Sequence, residues 1–489
     1  MSKIIIIGSG IGGLVAGNYL AKKGHDVIIF ESNGVPGGYT SGFRRKGFYF
    51  ESGTLSFEMS SLVFRIMKDL GLSGSVQFVR QKTRFLSEDF DLVPETYSEL
   101  KDMYYSAYPP ESERLGRYFA EVDPMYMAAA PFMTEAGLFA KLKAALHGLI
   151  VFKKYKDVPL GRIVDRYFEK GSKLSGVLKS LWYPDMAAWM SGGAIASILH
   201  DYWTVKGGMQ AWADALVGNF KKSGGKVMLN YYVDRIIVRD GTATGVTSKG
   251  TSYNADYVIA DCDYKKLYLK LLDGEPAIRG LSAENIKIAA VSEGVFTVYL
   301  GLNIPNSELG QFVKVPHVAY FDIRPGMDIN AAADVSYFEK VAITLYSPSL
   351  VDPALSPEGK SSLMIQAMAP GKWMGDWGGG DAGRYKELKS WVKDSLIEKA
   401  LKVIPGLRGM IELEDSASPI TYERYTHNSC GATSSWSWDP TKKFYKSAMG
   451  CEVRTPVNNL YLGSAWSSQF GGVPGAIMAA LRCVKKIKT

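Results

Sequence analysis

Lys3-Ile4-Ile5-Ile6-Ile7 runs directly into Gly8-Ser9-Gly10-Ile11-Gly12-Gly13, and after an alanine-bearing stretch the chain returns to Val27-Ile28-Ile29-Phe30-Glu31. A short β-branched apolar run reads as a buried parallel strand, and the glycines after it allow a tight turn and close backbone approach to a pyrophosphate. The stretch beyond the turn predicts a helix, whose free N-terminal N–H groups and dipole favour an anion. Gly17 lets that helix pack closely on the strand and Gly24 ends it. Glu31 closes the second strand 18 residues after Gly13, where a carboxylate can accept hydrogen bonds from the ribose of an adenine dinucleotide. A bare G-x-G-x-x-G is weak, but here strand, turn, helix, strand and acid follow in order. Gly8, Gly10, Ile11, Gly12, Gly13, Glu31 and the adjoining Ser32 are therefore expected to bind a dinucleotide.

Working outward, Pro36-Gly37-Gly38-Tyr39 makes a loop whose backbone can lie against that cofactor, and the alternation at Phe48 and Phe50 suggests a strand beyond it. Residues 1–60 form the first segment of a Rossmann-type unit. Residues 61–200 read as a mainly helical insertion. A second αβ segment, 201–284, starts at Val205-Lys206-Gly207-Gly208-Met209 and includes a hairpin turn at Asp240-Gly241. Alternating runs over 285–425, such as 295–302 and 341–346, suggest an antiparallel sheet flanked by helices. The segment 426–489 closes the chain. The expected class is α/β: a Rossmann-type domain interleaved with an α+β domain and carrying a helical insertion. A second glycine cluster, Gly378 to Gly383, formally repeats the fingerprint but lacks the strand before and the strand and acid after, so it reads as a mobile surface loop.

Composition sets limits. Among 489 residues, 46% hydrophobic and 22% charged is ordinary for a soluble globular chain of about two to three domains. Cys262, Cys430, Cys451 and Cys483 are scattered, as are the five histidines, so neither a disulfide framework nor a metal site is expected. The lysine and apolar run at the start superficially resemble a signal peptide, but five glycines interrupt residues 8–17 and the strand reading explains the run. No apolar run reaches the eighteen residues needed to span a bilayer. Cytoplasmic residence is the expectation. The net charge of +8 has no nucleic-acid motif beside it and reads as a solvated basic surface.

In ordered blocks over almost its whole length, the chain resembles the phytoene desaturase, carotenoid isomerase and retinol saturase family within the amine-oxidase-like flavoproteins. The blocks are Gly8 to Glu31 with Gly37-Gly38; Gly207-Gly208-Met209 with Val233; Pro348-Ser349, Asp352-Pro353 and Ser356-Pro357-Glu358-Gly359; Ser418-Pro419-Ile420-Thr421 with Glu423-Arg424-Tyr425-Thr426; and Leu460 to Gly463 with Gly472-Val473-Pro474-Gly475. The resemblance implies non-covalent FAD, a substrate domain over 285–425, and cofactor contacts from Gly37, Gly38, Tyr39, Gly53, Thr54, Val233, Gly463, Gly472, Val473 and Pro474. The dipole of a helix opened by Pro474 suits the negative charge that reduced flavin accumulates. Tyr39 departs from the arginine many members carry after the paired glycines, removing a cation near the pyrophosphate. Glu51 is expected near the flavin, and Cys451 is read as a small buried hydrophobe rather than a covalent flavin attachment.

The implied activity is oxidation, reduction or isomerisation of carbon–carbon double bonds in an apolar isoprenoid, with flavin N5 carrying hydride. Two alternatives share the architecture: an amine or amino-acid oxidase, and a non-catalytic prenyl-lipid-binding regulator of the GDP-dissociation-inhibitor type. No catalytic group can be assigned from spacing; His317, Tyr320, Glu423, Tyr425 and His427 are the candidates, each able to be a structural hydrogen bonder instead. Leu138-Phe139, Leu142, Ala145-Leu146 and Leu149-Ile150-Val151-Phe152, with Lys141, Lys143, Lys153, Lys154 and Lys156, read either as a core helix or as a basic amphipathic helix for an anionic membrane surface. Spacing does not choose between them, and the oligomeric state is not legible.

Overall fold

Lys3–Ile7 lies at the centre of a five-stranded parallel sheet ordered Leu460–Leu462, Tyr257–Ala260, Lys3–Ile7, Asp26–Phe30, Lys226–Met228. The structure, a computed structural model, describes residues 1–181, 183, 185–323, 333–445, 452–468 and 470–488; Cys451 lies outside them. The sheet draws its strands from three distant stretches of chain. Its central residues alternate between two cores, as the pleat requires. Ile4 and Ile6 pack beneath the helices Ile11–Lys22, Met209–Lys222 and Gly472–Val484, whereas Ile5 and Ile7 face a three-stranded antiparallel sheet, Val233–Arg239, Thr242–Ser248 and Thr251–Asn254. Gly17 is where the first helix touches the sheet: a Cβ there would stand 3.0 Å from Ile29 and 3.2 Å from Phe220.

The second layer system is a seven-stranded sheet ordered Ile411–Ala417, Gly294–Leu302, Ser361–Ala369, Ile343–Tyr346, His317–Tyr320, Thr83–Leu86, Asp91–Leu92. Its long strands pair antiparallel, with Val298 opposite Ile365 and Ser416. Two strands come from the stretch read as mainly helical: Thr83–Leu86 runs parallel to His317–Tyr320 and turns back as Asp91–Leu92. Phe78–Arg80 likewise pairs with Trp203–Val205. The Thr83–Leu86 strand is disguised by a buried cation. Arg84 is 6% exposed, and its guanidinium is held by both Asp91 carboxylate oxygens, at 2.5 and 2.8 Å, and by the Phe312 carbonyl at 2.6 Å.

Helices then dominate, the first being Tyr97–Ala107, started by a Thr96/Glu99 capping box, and the last before the second segment being Ser191–His200. The second glycine cluster lies on the surface, with Gly379, Gly380 and Gly383 exposed. It follows a turn in which Met374, Asp376 and Trp377 all take left-handed φ of 48–60°, and Trp373 and Trp377 before it are fully buried, their indole N–H groups donating to Asp334 and Pro370 carbonyls.

Asn18 joins the first and second segments of the nucleotide-binding unit. Fully buried, its amide donates to the carbonyls of Leu14 and Leu216 at 2.8 and 3.0 Å and accepts from Asn219 at 2.9 Å. Asn18→Ala is expected to lower unfolding free energy by about 1–3 kcal/mol by leaving buried polar groups unpaired. Urea denaturation measures this, and an unchanged midpoint would show that the bridge carries no stability.

Candidate functional site

The carboxyl ends of the parallel strands open onto one long cleft. Ligands of open α/β sheets bind at this edge. Two acids flank the first strand here: Glu31 after Asp26–Phe30, and Asp261 after Tyr257–Ala260. Glu31 is 5% exposed. Its Oε2 accepts from the Ser9 N–H and hydroxyl at 2.9 and 2.6 Å, while Oε1 accepts from Ser32 Oγ, the Asn33 N–H and Asn33 Nδ2 at 3.1, 2.8 and 3.0 Å. It therefore fixes both the glycine turn and the loop after the strand. Asp261 Oδ2 accepts the Gly13 N–H at 2.7 Å. Its carboxylate rests on the turn so closely that a Cβ on Gly10, Gly12 or Gly13 would come within 2.9 Å of it.

The cleft has two distinguishable ends. At the Glu31 end, Ser32, Asn33, Tyr231, Tyr232, Val233, Tyr425 and His427 form the wall, with Tyr232 edge-on to His427 at 5.2 Å. Gly8, Gly10, Ile11, Gly12, Gly37 and Gly38 line the middle. Gly37, at φ 120°, brings its loop alongside the turn, and its N–H donates to the Ser9 carbonyl at 2.9 Å. The far end is made by Tyr39, Thr40, Thr54, Thr433, Ser435, Trp466, Gly472, Val473 and Ala476. There the last helix, Gly472–Val484, begins after Gly471 at φ 56°, with Pro474 in its first turn. An extended dinucleotide fits this arrangement: glycine backbone and helix N-terminus for phosphate at the centre, a carboxylate and tyrosines for a nucleoside at one end, and a second helix N-terminus at the other.

Tyr39 does not supply the missing cation. Its hydroxyl donates to the carbonyls of Gly431 and Ala432 at 3.2 and 3.0 Å, its ring stacks on Tyr422 at 5.8 Å, and burial holds the phenol neutral by raising its pKa. It tethers the glycine loop to the segment after the helix Pro419–Thr426. Asp263 anchors the same segment, accepting the Ser429 N–H at 2.7 Å and capping the Tyr264–Lys266 turn. Burial raises its pKa.

Of the other expected contacts, Gly13, Gly53, Gly463 and Pro474 stand behind the lining. Gly53 packs under the Tyr39 ring, where a Cβ would sit 2.4 Å away, and the Gly463 carbonyl abuts Gly12. Glu51, expected near the flavin, does not line the cleft: fully buried, it accepts the Met209 N–H and the Tyr49 hydroxyl, holding the start of the Met209–Lys222 helix.

The five candidate catalytic groups separate. Tyr425 and His427 line the cleft, but at the Glu31 end. Glu423 caps the Cys430 N–H at 3.1 Å and meets Lys266 at 3.4 Å. His317 and Tyr320 sit in the seven-stranded sheet; His317 Nδ1 bonds Thr83 Oγ1 at 3.0 Å, and burial lowers its pKa to about 4, so it is neutral. Sequence reading missed Asp261, Asp263, Asn428 and Trp466. Asp261 carried a signal: like Glu31, it is the first acid after an apolar strand. The other three are set by long-range pairing, as in the Trp466 Nε1 to Asn428 Oδ1 bond of 2.9 Å.

Comparison with known proteins gives the same frame. The family model described as flavin containing amine oxidoreductase matches residues 11–488. Prolycopene isomerase 1, chloroplastic, of an Oncidium hybrid cultivar is 25% identical over 99% of this chain and 83% of its own length. All-trans-retinol 13,14-reductase of Danio rerio is 25% identical over 98% of this chain and 84% of its own. The crystal structure of an oxidoreductase from Methanosarcina mazei superposes with a TM-score of 0.64 at 17% identity, covering 99% of this chain and all of that one, which establishes the shared fold.

Glu31→Ala is expected to weaken FAD retention by about 1–3 kcal/mol through loss of charge-assisted hydrogen bonds. Flavin absorbance after dialysis measures it, and full occupancy in the variant would contradict the role given to Glu31. Burial of Glu51 raises its pKa from 4.5 to about 8. The folded state therefore binds this proton more tightly than the unfolded one, and the stability it confers is complete below about pH 4.5 and lost as pH rises towards 8. Glu51→Gln, which keeps a neutral acceptor, should match the parent in melting temperature near pH 4.5 and exceed it above pH 8. Parallel melting curves would refute this.

Proposed function

The chain belongs to the flavin-containing amine oxidoreductases and is an FAD-dependent oxidoreductase, and we propose that its substrate is a long apolar isoprenoid whose carbon–carbon double bonds it oxidises, reduces or isomerises. FAD, when bound, supplies a hydride acceptor or donor. The protein's own part is to align an apolar chain with the far end of the cleft and keep water out.

The observation that carries this reading is a path of aromatic contacts from an exposed apolar surface to that end of the cleft. In the helix Leu138–Tyr155, six large apolar side chains face solvent: Leu138, Phe139, Leu142, Leu146, Leu149 and Ile150 are 58–85% exposed. Soluble surfaces rarely expose so large a contiguous apolar patch without a partner. At the edge of this face Phe152 meets Trp189 edge-on at 5.1 Å, and Trp189 meets Phe470 at 6.3 Å, next to Gly471 and Gly472 at the cleft. Beside this path Tyr183 stacks on Trp438 at 5.3 Å and its hydroxyl lies 3.4 Å from Thr433 Oγ1, which lines the cleft. An isoprenoid substrate entering from this side would meet predominantly aromatic side chains between the exposed helix and the cleft. The named activities of the isomerase and reductase relatives agree with it, and their difference leaves the direction of electron flow to experiment.

The same surface supports docking on an anionic membrane. Lys141, Lys143, Lys153 and Lys154 border the apolar face, each worth about 1 kcal/mol near such a surface. Among the described residues no helix is long and apolar enough to cross a bilayer, so contact would be in the headgroup plane.

Anaerobic incubation with oxidised and with reduced FAD against panels of isoprenoids and amines, read by mass, tests the substrate class. Loss of two hydrogens, gain of two, or a shifted isomer at constant mass supports the proposal; turnover confined to amines overturns it. Sedimentation with anionic vesicles at low salt should retain the protein, and Leu146→Asp with Ile150→Asp should release it. Binding unaffected by these changes would exclude this helix as the contact.

A further inference from the structure

The centre of the cleft places two anions on one helix N-terminus. The first N–H groups of Ile11–Lys22 have no intrahelical partner and are the backbone donors available to a dinucleotide phosphate. Asp261 already takes the Gly13 N–H at 2.7 Å, and its carboxylate oxygens lie 2.7–2.9 Å from where Cβ atoms of Gly10, Gly12 and Gly13 would be. Asp261 and Glu31 both line the same cleft as those glycines. No arginine stands at position 39 to balance the charge. Lys266, which also lines the cleft, is engaged with Glu423 at 3.4 Å. A pyrophosphate seated on the turn would therefore meet a carboxylate sharing its donors, with a second carboxylate nearby.

We propose that Asp261 is a proton-coupled cofactor-binding residue: the pyrophosphate of FAD is accepted with the Asp261 carboxyl protonated, the proton coming from solvent, so that the neutral acid stays on the turn beside the phosphates. The unprotonated carboxylate competes with the phosphates for the same N–H groups and repels them. Its surroundings already favour the neutral form. Burial and the Glu31 charge push its pKa up to about 7, against the opposing pull of the Gly13 and Gly10 N–H groups. The other titratable groups facing it are Cys262 and Asp263 on its own loop and Cys483 on the last helix; burial keeps both thiols neutral. His427, at the Glu31 end rather than on the turn, has its pKa lowered by burial, which favours the neutral ring. Asp263 spends its carboxylate on the Lys266 and Ser429 N–H groups, away from the turn, so Asp261, bonded to the Gly13 N–H, is the acid placed to take up a proton when an anion arrives there.

The inference rests on FAD as the cofactor and not on the substrate. Flavin fluorescence titration of cofactor-stripped protein from pH 6 to 8.5 gives Kd at each pH, and calorimetry in two buffers of different ionisation enthalpy gives the protons taken up. Below about pH 6.5 Kd should be flat, and above it Kd should rise towards about tenfold per pH unit, with uptake approaching one proton. Asp261→Asn, and Asp261→Ser as a second variant should the first fail to fold, should bind FAD with the slope abolished and more tightly than the parent at pH 8.5. A flat Kd with no proton uptake in the parent overturns the inference, as does a slope that survives in the variants. Failure to bind FAD at any pH would instead sink the cofactor assignment itself.

Discussion

Everything at the cofactor edge depends on a turn of backbone gripped from two sides. Glu31 holds it at Ser9 and Asp261 holds it at Gly13, and the strand order sets these acids on either flank of the first strand. The glycines are required less for flexibility than for nearness. A methyl group on any of three of them would displace the Asp261 carboxylate. With the turn fixed, the Gly37 loop is tied to it through the Ser9 carbonyl, Tyr39 of the same loop is tied to the Gly431 carbonyl, and Ser429 is tied to Asp263. The site is thus preorganised by charges that an anionic ligand must also meet.

Much of this was legible because it is local. The turn, the strand and Glu31 span about thirty residues, and a strand that alternates nothing but isoleucine can only be buried on both faces. What escaped is what the third dimension adds. Thr83–Leu86 carries an arginine in a sheet core, a pattern that reads as surface until Asp91 and the Phe312 carbonyl are seen to neutralise it. Glu51, close in sequence to the expected flavin contacts, spends its carboxylate on a helix start more than 150 residues away. His317 and Tyr320 have the side-chain chemistry of catalysis but belong to a packed sheet.

The helix Leu138–Tyr155 illustrates the limit from the other direction. Its apolar and basic residues fit a core helix or an interfacial one equally well, since amphipathicity specifies that one face is apolar and not what covers it. In the fold Ala144, Val151 and Tyr155 face inward, small or few, and the larger side chains point out. Phe152 then meets Trp189 edge-on at 5.1 Å, so the helix is held by aromatic packing as well as by these three residues.

The interleaved connectivity has a consequence for how the molecule comes into being. Leu460–Leu462 supplies the edge strand beside Tyr257–Ala260, and Gly472–Val484 packs with the first helix in one core. The strand Lys3–Ile7 and the turn after it, although made hundreds of residues earlier, cannot complete their own domain until Leu460–Leu462 and Gly472–Val484 emerge from the ribosome. Such long sequence separations slow folding and prolong the exposure of apolar segments. A nascent chain of this architecture would hold its cofactor pocket open and its isoleucine strand half covered until those segments are made, so cofactor capture becomes a late event that joins stretches more than 400 residues apart.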